Sequence, residues 1–174
     1  MRKLLFALAA ASLIAAPATA ALKVGDKAPD FTTTGAVGGK EFKLHLKDQL
    51  KKGPVVLYFF PKAFTSGCTA EAHAFSSSID DFKKAGAQVI GMSSDDLKTL
   101  HDFSTKECRS AFPVATAGPD VQKEYDVAWA AHPGITTRTS YVIDRDGKIV
   151  MVHDDLDFSK HVSKTLAAVE ALKH

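Results

Sequence analysis

The chain is poor in cysteine and tryptophan: its 174 residues include only Cys68, Cys108 and a single tryptophan. The two cysteines do not have the two- or three-residue separation that disulfide oxidoreductases and copper chaperones use. The seven histidines show no metal-ligand spacing such as His-x3-His. No basic stripe is interleaved with aromatic residues. These absences argue against a dithiol motif, a histidine-based metal site and a nucleic-acid-binding surface.

The first 20 residues have the organisation of a secretory signal peptide. Arg2 and Lys3 precede an apolar run over 4–16, and Ala18-x-Ala20 provides small residues for cleavage. The apolar run is short for a membrane span, although an uncleaved anchor is the alternative. Cleavage would remove two of the 22 basic residues and none of the 20 acidic ones, leaving no formal net charge. We therefore expect a soluble protein of residues 21–174 that is periplasmic or secreted.

The two thiols need an explanation in an exported protein, because extracytoplasmic compartments are oxidising. One interpretation is a structural disulfide between Cys68 and Cys108, closing a loop of about 40 residues and contributing roughly 4 kcal/mol. The protein would then be a disulfide-stapled binding domain without enzymatic activity. The other interpretation is that Cys68 is reactive, and its position in the chain favours this.

The apolar pattern predicts alternating strands and helices after the signal peptide. Residues 54–60 form a continuous apolar run, typical of a strand that is buried on both faces. Phe75, Ile79 and Phe82 are spaced as the core stripe of a helix over 68–84. The further predicted elements are a strand over 88–93, a helix from 94 with Cys108 near its end, a strand over 112–116, a helix over 119–127, strands over 139–143 and 148–152, and a helix from 158.

This order predicts the fold class. It reads as β-α-β-α-β-α, a β-hairpin and a closing helix, and a further hairpin is expected around Gly35 to Gly39. The order is that of an α/β, thioredoxin-like three-layer sandwich with a central mixed β-sheet and an N-terminal hairpin extension. No linker divides residues 21–174, so we expect one domain. Its functional site should lie at the carboxyl end of a strand, where residues 61–68 fall.

Three sequence segments point to a protein family. Residues 61–68 contain Pro61-x3-Thr65-x2-Cys68, which follows the apolar strand and opens a helix, where free backbone N–H groups stabilise a thiolate. The other two segments are Val-Gly-Asp-Lys-Ala-Pro-Asp-Phe at 24–31 and Thr-Arg-Thr-Ser-Tyr-Val-Ile-Asp at 137–144. Over residues 22–172 the chain resembles the peroxiredoxins, most of all the peroxiredoxin Q or bacterioferritin comigratory group.

The resemblance implies a role for each residue of the motif. Cys68 would be the peroxidatic cysteine, whose thiolate attacks a peroxide and becomes a sulfenic acid. Arg138 would stabilise the thiolate and the leaving oxygen; otherwise it is a surface arginine at the start of a strand. Thr65 would hydrogen-bond the peroxide or the thiolate and could also cap the helix, while Pro61 would shield the thiolate from water. Glu71 would orient the arginine, unless it is a solvated helix residue.

The second half of the catalytic cycle depends on how the chain departs from the family pattern. Many peroxiredoxin Q proteins carry a resolving cysteine five residues after the first, and here that position is His73, which could instead tune the thiol. Cys108 is then the only intramolecular candidate, and we expect it to form a disulfide with the oxidised Cys68. The alternative is a one-cysteine enzyme in which Cys108 is a bystander.

The resemblance also implies the partners. We expect hydrogen peroxide and small organic hydroperoxides as substrates, and an exported thioredoxin-like protein or another thiol as the reductant. We expect a monomer that needs no cofactor or metal, does not bind nucleic acid, and does not associate with a membrane once the signal peptide is cleaved.

Overall fold

The computed structural model describes residues 21–173. The predicted signal peptide, residues 1–20, lies outside the described residues. Between residues 21 and 173, no helix combines the length and the apolar character that a membrane crossing requires.

A seven-stranded mixed sheet forms the centre of the protein. Its strands follow the order β2-β1-β5-β4-β3-β6-β7. β3, β4 and β5 run parallel to one another, and the other neighbouring strands are antiparallel. The strands are β1 Thr32–Val37, β2 Lys40–His45, β3 Val55–Phe59, β4 Gln88–Ser93, β5 Val114–Thr116, β6 Thr139–Ile143 and β7 Ile149–Asp154.

Helices cover both faces of the sheet, which gives three layers. The short helices α1 and α4 contribute Leu46, Leu50 and Val121 to the hydrophobic cluster on one face. The longer helices α2, α3 and α5 contribute to the cluster on the other face, together with both cysteines. The helices are α1 Leu46–Leu50, α2 Ser66–Lys84, α3 Leu97–Lys106, α4 Pro119–Glu124 and α5 His161–Ala171, and a 3₁₀ turn, Phe158–Lys160, leads into α5.

The side chains of β3 explain why the sheet needs two covering layers. All five residues of this strand are buried, and the side chains at 55, 57 and 59 lie in one cluster while those at 56 and 58 lie in the other. This alternation is expected of a strand at the centre of a sheet. The thioredoxin-like α/β fold that the sequence predicts is confirmed.

Most differences from the predicted elements concern their ends. Helix α2 begins at Ser66, so Cys68 is its third residue rather than its first. The N-terminal hairpin turns at Gly38 and Gly39, which have φ angles of +54° and +73°, a backbone that glycine adopts without strain. Helix α4 ends at Glu124, three residues before its predicted end.

The prediction that Cys108 lies late in the second long helix is wrong. Helix α3 ends at Lys106, and Cys108 is the second residue after it. After the right-handed C-cap Glu107, the chain turns away at Arg109 and Ser110, which adopt left-handed backbone angles with φ of +51° and +57°. Cys108 therefore belongs to a tight turn at the end of α3.

Candidate active site

The topology brings two of the three motif segments together at one edge of the sheet, whereas Gly25 and Ala28 of the third bond to Ile149 and Gly147 at the other end of β6. Residues 60–68 leave the carboxyl end of β3 and lead into α2. β6 pairs antiparallel with β3, and Thr139 lies opposite Phe59, so β6 begins where β3 ends. Arg138, the residue before β6, is thereby placed beside the first turn of α2.

The Cys68 thiol meets a guanidinium at the start of a helix. Cys68 is buried, with 2% of its surface exposed. Arg138 Nη2 donates to Cys68 Sγ across 3.5 Å. Both the guanidinium and the N-terminal turn of α2 place positive charge near the sulfur. The arrangement can stabilise negative charge that develops at this position.

Arg138 is held by three different groups. Its Nε donates to the backbone oxygen of Leu156 at 2.9 Å. Its Nη1 donates to Glu71 Oε2, and its Nη2 points to Cys68. Arg138 is 6% exposed and Glu71 is fully buried. The alternatives of a surface arginine and of a solvated helix glutamate are therefore both wrong.

Gly67 allows the guanidinium to approach the helix closely. A Cβ atom at position 67 would lie 3.2 Å from Arg138 Nη2. A side chain there would force the guanidinium to shift by a few tenths of an ångström. The glycine before the cysteine thus accommodates the close approach of Arg138.

Burial and charge act against each other in the ion pair of Arg138 and Glu71. Burial raises the pKa of Glu71 to about 7, although Arg138 acts to lower it. Burial also acts to lower the pKa of Arg138, but the charges of Glu71 and Cys68 together raise it. The guanidinium is therefore always charged, whereas the Glu71 carboxyl can gain a proton near neutral pH.

Asp95, which follows β4, holds the loop that carries the motif. Asp95 Oδ2 accepts hydrogen bonds from the backbone N–H of Ala63 at 2.7 Å and from the Ser93 hydroxyl at 2.9 Å. Phe64 has a left-handed backbone, with φ of +63°. Such strain in a residue other than glycine is typical of functional loops, where the surroundings enforce it. Asp95, which sequence reasoning assigned only to the start of a helix, holds the loop in shape.

Thr65 occupies the predicted capping position but does not cap with its side chain. It is the residue before α2, and its hydroxyl donates to the backbone oxygen of Lys62 at 2.9 Å. The hydroxyl proton is thus committed, while its lone pairs remain available to accept a hydrogen bond. Thr65 is exposed, so a bound ligand can reach its hydroxyl.

Pro61 is half-buried and follows β3 by two residues. Thr136 holds the backbone just before it. The Thr136 hydroxyl is buried and donates to the backbone oxygen of Phe60 at 2.7 Å. This bond joins the segment before Cys68 to the segment before Arg138. Sequence reasoning missed Thr136, and its position two residues ahead of Arg138 was the only signal for it.

Cys108 is a buried, neutral thiol on the same face of the sheet as Cys68. It has no exposed surface, and burial together with the charge of Glu107 raises its pKa. The Ser76 hydroxyl of α2 donates to the backbone oxygen of Cys108 at 2.9 Å. The two cysteines belong to one hydrophobic cluster, and both are free thiols in the structure.

His73 contacts the neighbour of Cys108 and makes no hydrogen bond to Cys68. Its Nε2 lies 2.8 Å from the Glu107 carboxylate. Together with the Ser76 bond, this contact ties α2 to the turn that carries Cys108. His73 is therefore placed to affect Cys108. Residues 21–173 contain no group of three or more His, Cys, Asp or Glu residues that could hold a metal ion.

Comparisons with known proteins identify the family of the chain. The AhpC/TSA family model matches residues 24–152. The chloroplastic peroxiredoxin Q of Oryza sativa subsp. japonica is 34% identical over 149 residues, covering 85% of this chain and 67% of the rice protein. The chloroplastic peroxiredoxin Q of Arabidopsis thaliana is 35% identical over 148 residues, covering 84% of this chain and 67% of its own.

Solved structures give the same result. The peroxidoxin BcpB of Mycobacterium tuberculosis has a TM-score of 0.79 at 29% identity, covering 88% of this chain and 99% of its own. AhpC of the same organism has a TM-score of 0.77 at 22% identity, covering 88% of this chain and 94% of its own, and supports the fold alone. A buried thiol beside a guanidinium, within a matching family segment, favours an enzyme over a stapled binding domain. The chain belongs to the AhpC/TSA family and is a peroxiredoxin, a thiol-dependent peroxidase with a thioredoxin-like fold.

Proposed function

We propose that Cys68 is the peroxidatic cysteine of this enzyme. Its thiolate attacks one oxygen of a hydroperoxide: the S–O bond forms, the O–O bond breaks, and the leaving oxygen takes a proton to give water or an alcohol. Cys68 becomes a sulfenic acid. The observation that carries the proposal is the hydrogen bond from Arg138 Nη2 to Cys68 Sγ at the start of α2.

The neighbouring residues have separate tasks in this step. Arg138 stabilises the thiolate and the negative charge that develops on the leaving oxygen. The Thr65 hydroxyl, which donates to the Lys62 backbone oxygen, accepts a hydrogen bond from the peroxide O–H and so orients the substrate. Pro61 covers the thiolate against water. The O–O bond is the same in hydrogen peroxide and small organic hydroperoxides, so we propose both as substrates.

We propose that Cys108 resolves the sulfenic acid. The Cys108 sulfur displaces the hydroxyl from the Cys68 sulfur, so that a disulfide forms and water leaves. A thioredoxin-like dithiol then reduces the disulfide and is itself oxidised. Support comes from the position of both thiols in one cluster on the α2 face. Both thiols are free in the structure, and we propose that the first turn of α2 or the turn after α3 opens to bring the two sulfurs within disulfide distance.

We expect Cys108→Ser to separate the two halves of the cycle. Oxidation of Cys68 by a single equivalent of peroxide should proceed at the wild-type rate, because Cys108 does not contact the reacting atoms. Steady-state turnover with a thioredoxin-type reductant should fall about tenfold or more, because the sulfenic acid persists. Stopped-flow oxidation, reductant-coupled turnover and trapping of the sulfenic acid measure these effects.

Cys108→Ala is the matched control, since it removes the thiol without placing a hydroxyl in an apolar site. Both variants should behave alike. Full turnover in both with a thioredoxin-type reductant would show a one-cysteine enzyme, with Cys108 as a bystander.

We propose that the enzyme works outside the cytoplasm after cleavage at Ala20. Expression of the full-length chain in a Gram-negative host, followed by fractionation and N-terminal sequencing, should yield a periplasmic protein that begins at Ala21. A cytoplasmic protein that retains Met1 would contradict the proposal. The reductant is then an exported thiol protein, because cytoplasmic thioredoxin cannot reach the enzyme.

We propose that the enzyme is a monomer. Sedimentation velocity of the reduced and the oxidised protein should give one monomeric species, and a stable dimer in either state would contradict this.

A further inference from the structure

Glu71 has a second buried neighbour besides Arg138. One carboxyl oxygen, Oε2, accepts from Arg138 Nη1. The other, Oε1, is buried without a hydrogen-bond partner and lies 3.7 Å from Nδ1 of His161, the first residue of α5. Neither Glu71 nor His161 has exposed surface. Since buried polar atoms are nearly always paired, this contact requires an explanation.

The hydrogen bonds of His161 show which of its ring atoms carries a proton. Nε2 lies 2.9 Å from the backbone oxygen of Asp155, which can only accept, so Nε2 donates. In the neutral ring Nδ1 then has a lone pair, which accepts from the Ser140 hydroxyl at 2.8 Å. Nδ1 also lies 3.7 Å from Glu71 Oε1, which is beyond hydrogen-bond distance. Two acceptor atoms are thus close together in a buried site, and a proton on one of them allows a hydrogen bond once they approach by a few tenths of an ångström.

We propose that His161 is a positioning residue for the Cys68 reaction: it shares one buried proton with Glu71 and thereby determines how much of the Arg138 charge is available to Cys68. This inference rests on the proposed role of Cys68. With the proton present, Glu71 is neutral, and the guanidinium interacts chiefly with the thiolate and the leaving oxygen. Without it, the Glu71 carboxylate competes for the same guanidinium. His161 acts only through Glu71 and Arg138.

The surrounding charges place the proton on Glu71 rather than on His161. Burial, together with the charges of His153 and Arg138, lowers the pKa of His161 to about 4, although the hydrogen bond to the Asp155 backbone acts to raise it. Lys164 Nζ lies 3.1 Å from His153 Nδ1, and the two imidazole centroids are 4.5 Å apart. The titratable and charged groups around the pair are Tyr58 in β3, Cys68 in α2, Arg138 before β6, His153 and Asp154 in β7, Asp155 and Asp157 after β7, and Lys160 and Lys164 near and in α5.

The direction of the pH effect follows from this placement. Burial raises the pKa of Glu71 to about 7, so the pair loses its proton as the pH rises through neutrality. The rate constant for oxidation of Cys68 should therefore show a falling limb near neutral pH, set by the Glu71–His161 pair.

Two substitutions should move the falling limb in opposite directions. In His161→Asn the amide can donate to Glu71 Oε1 and accept from Ser140, which stabilises the carboxylate, so the limb should move about one pH unit down. At a pH above the falling limb of both proteins, the rate constant for Cys68 oxidation in His161→Asn would then be about tenfold lower than in the wild type. In Ser140→Ala, Nδ1 loses its competing donor and holds the shared proton more firmly, so the limb should move up.

The test measures the pH dependence of single-turnover Cys68 oxidation by hydrogen peroxide and, separately, of Cys68 alkylation by iodoacetamide. His161→Gln controls for the bond that holds the backbone at Asp155. The glutamine amide can keep that bond but cannot share a proton with Glu71. His101→Gln, at a half-buried site on α3, controls for loss of a histidine. Thermal unfolding shows whether each variant folds, and Ser140→Ala keeps the test available if His161→Asn does not fold.

The outcomes distinguish this inference from the proposed function. Opposite shifts in His161→Asn and Ser140→Ala support the shared proton. An unmoved falling limb in both, or wild-type behaviour of His161→Gln, overturns it and leaves His161 as an anchor for residue 155. If Cys68→Ser is oxidised as fast as the wild type, the role of Cys68 itself fails.

Discussion

Cys68→Ser should reduce peroxide consumption to the uncatalysed background, a loss of about 10⁴-fold or more. A serine hydroxyl is not ionised near neutral pH, so the nucleophile is absent even though Arg138 and the start of α2 remain in place. The fold should persist, because a hydroxyl can accept the Arg138 Nη2 hydrogen bond that now goes to sulfur. Peroxide consumption, far-ultraviolet circular dichroism and thermal unfolding measure these effects.

Cys108→Ser is the matched control for this loss, because it also replaces a buried thiol with a hydroxyl on the same face of the sheet. Its first turnover should stay at the wild-type rate. If Cys68→Ser kept peroxidase activity and Cys108→Ser lost it, Cys108 would be the peroxidatic cysteine and Cys68 the resolving one.

Arg138→Met should lower kcat/KM about 10²- to 10³-fold, the usual cost of losing a donor aimed at developing negative charge. The same substitution leaves Glu71 buried without its cation. Breaking a buried ion pair in this way costs about 3–5 kcal/mol of stability while the remaining group stays charged. Glu71 can take up a proton instead, so the loss of stability should be smaller below neutral pH than above it.

A double variant separates the catalytic effect of Arg138 from its structural effect. Arg138→Met combined with Glu71→Gln removes both charges, so most of the lost stability should return while kcat/KM remains low. Denaturant unfolding and stopped-flow oxidation of Cys68 supply the two measurements. Recovery of kcat/KM together with stability would show that Arg138 only holds α2 in place.

Local sequence patterns predicted most of the fold. The apolar run before Pro61 became β3, and the spacing of Phe75 and Phe82 became the buried stripe of α2. These predictions succeeded because the side-chain periodicity of a strand or a helix depends on residues only a few positions apart. Helix ends were less well predicted, as for α3, because the left-handed backbone at Arg109 and Ser110 has no glycine to signal it.

The site was predicted unevenly for the same physical reason. The motif identified Cys68, Thr65 and Pro61 because these residues lie within one short loop of the chain. Arg138 was identified only through family resemblance, since 70 positions separate it from Cys68. The contacts of Asp95 and Thr136 with the motif loop left no pattern in the sequence.

The sequence by itself determined the alternating α/β order, the position of Cys68 in the first turn of a helix, and the absence of a cysteine at position 73. The tertiary structure alone decided that Glu71 is buried against Arg138, that His161 faces Glu71, and that His73 contacts Glu107 rather than Cys68. These contacts join chain segments that meet only because β3 pairs with β6 and because α2, α3 and α5 share one face of the sheet. A contact of this kind depends on how the layers pack, which the local pattern of a sequence does not record.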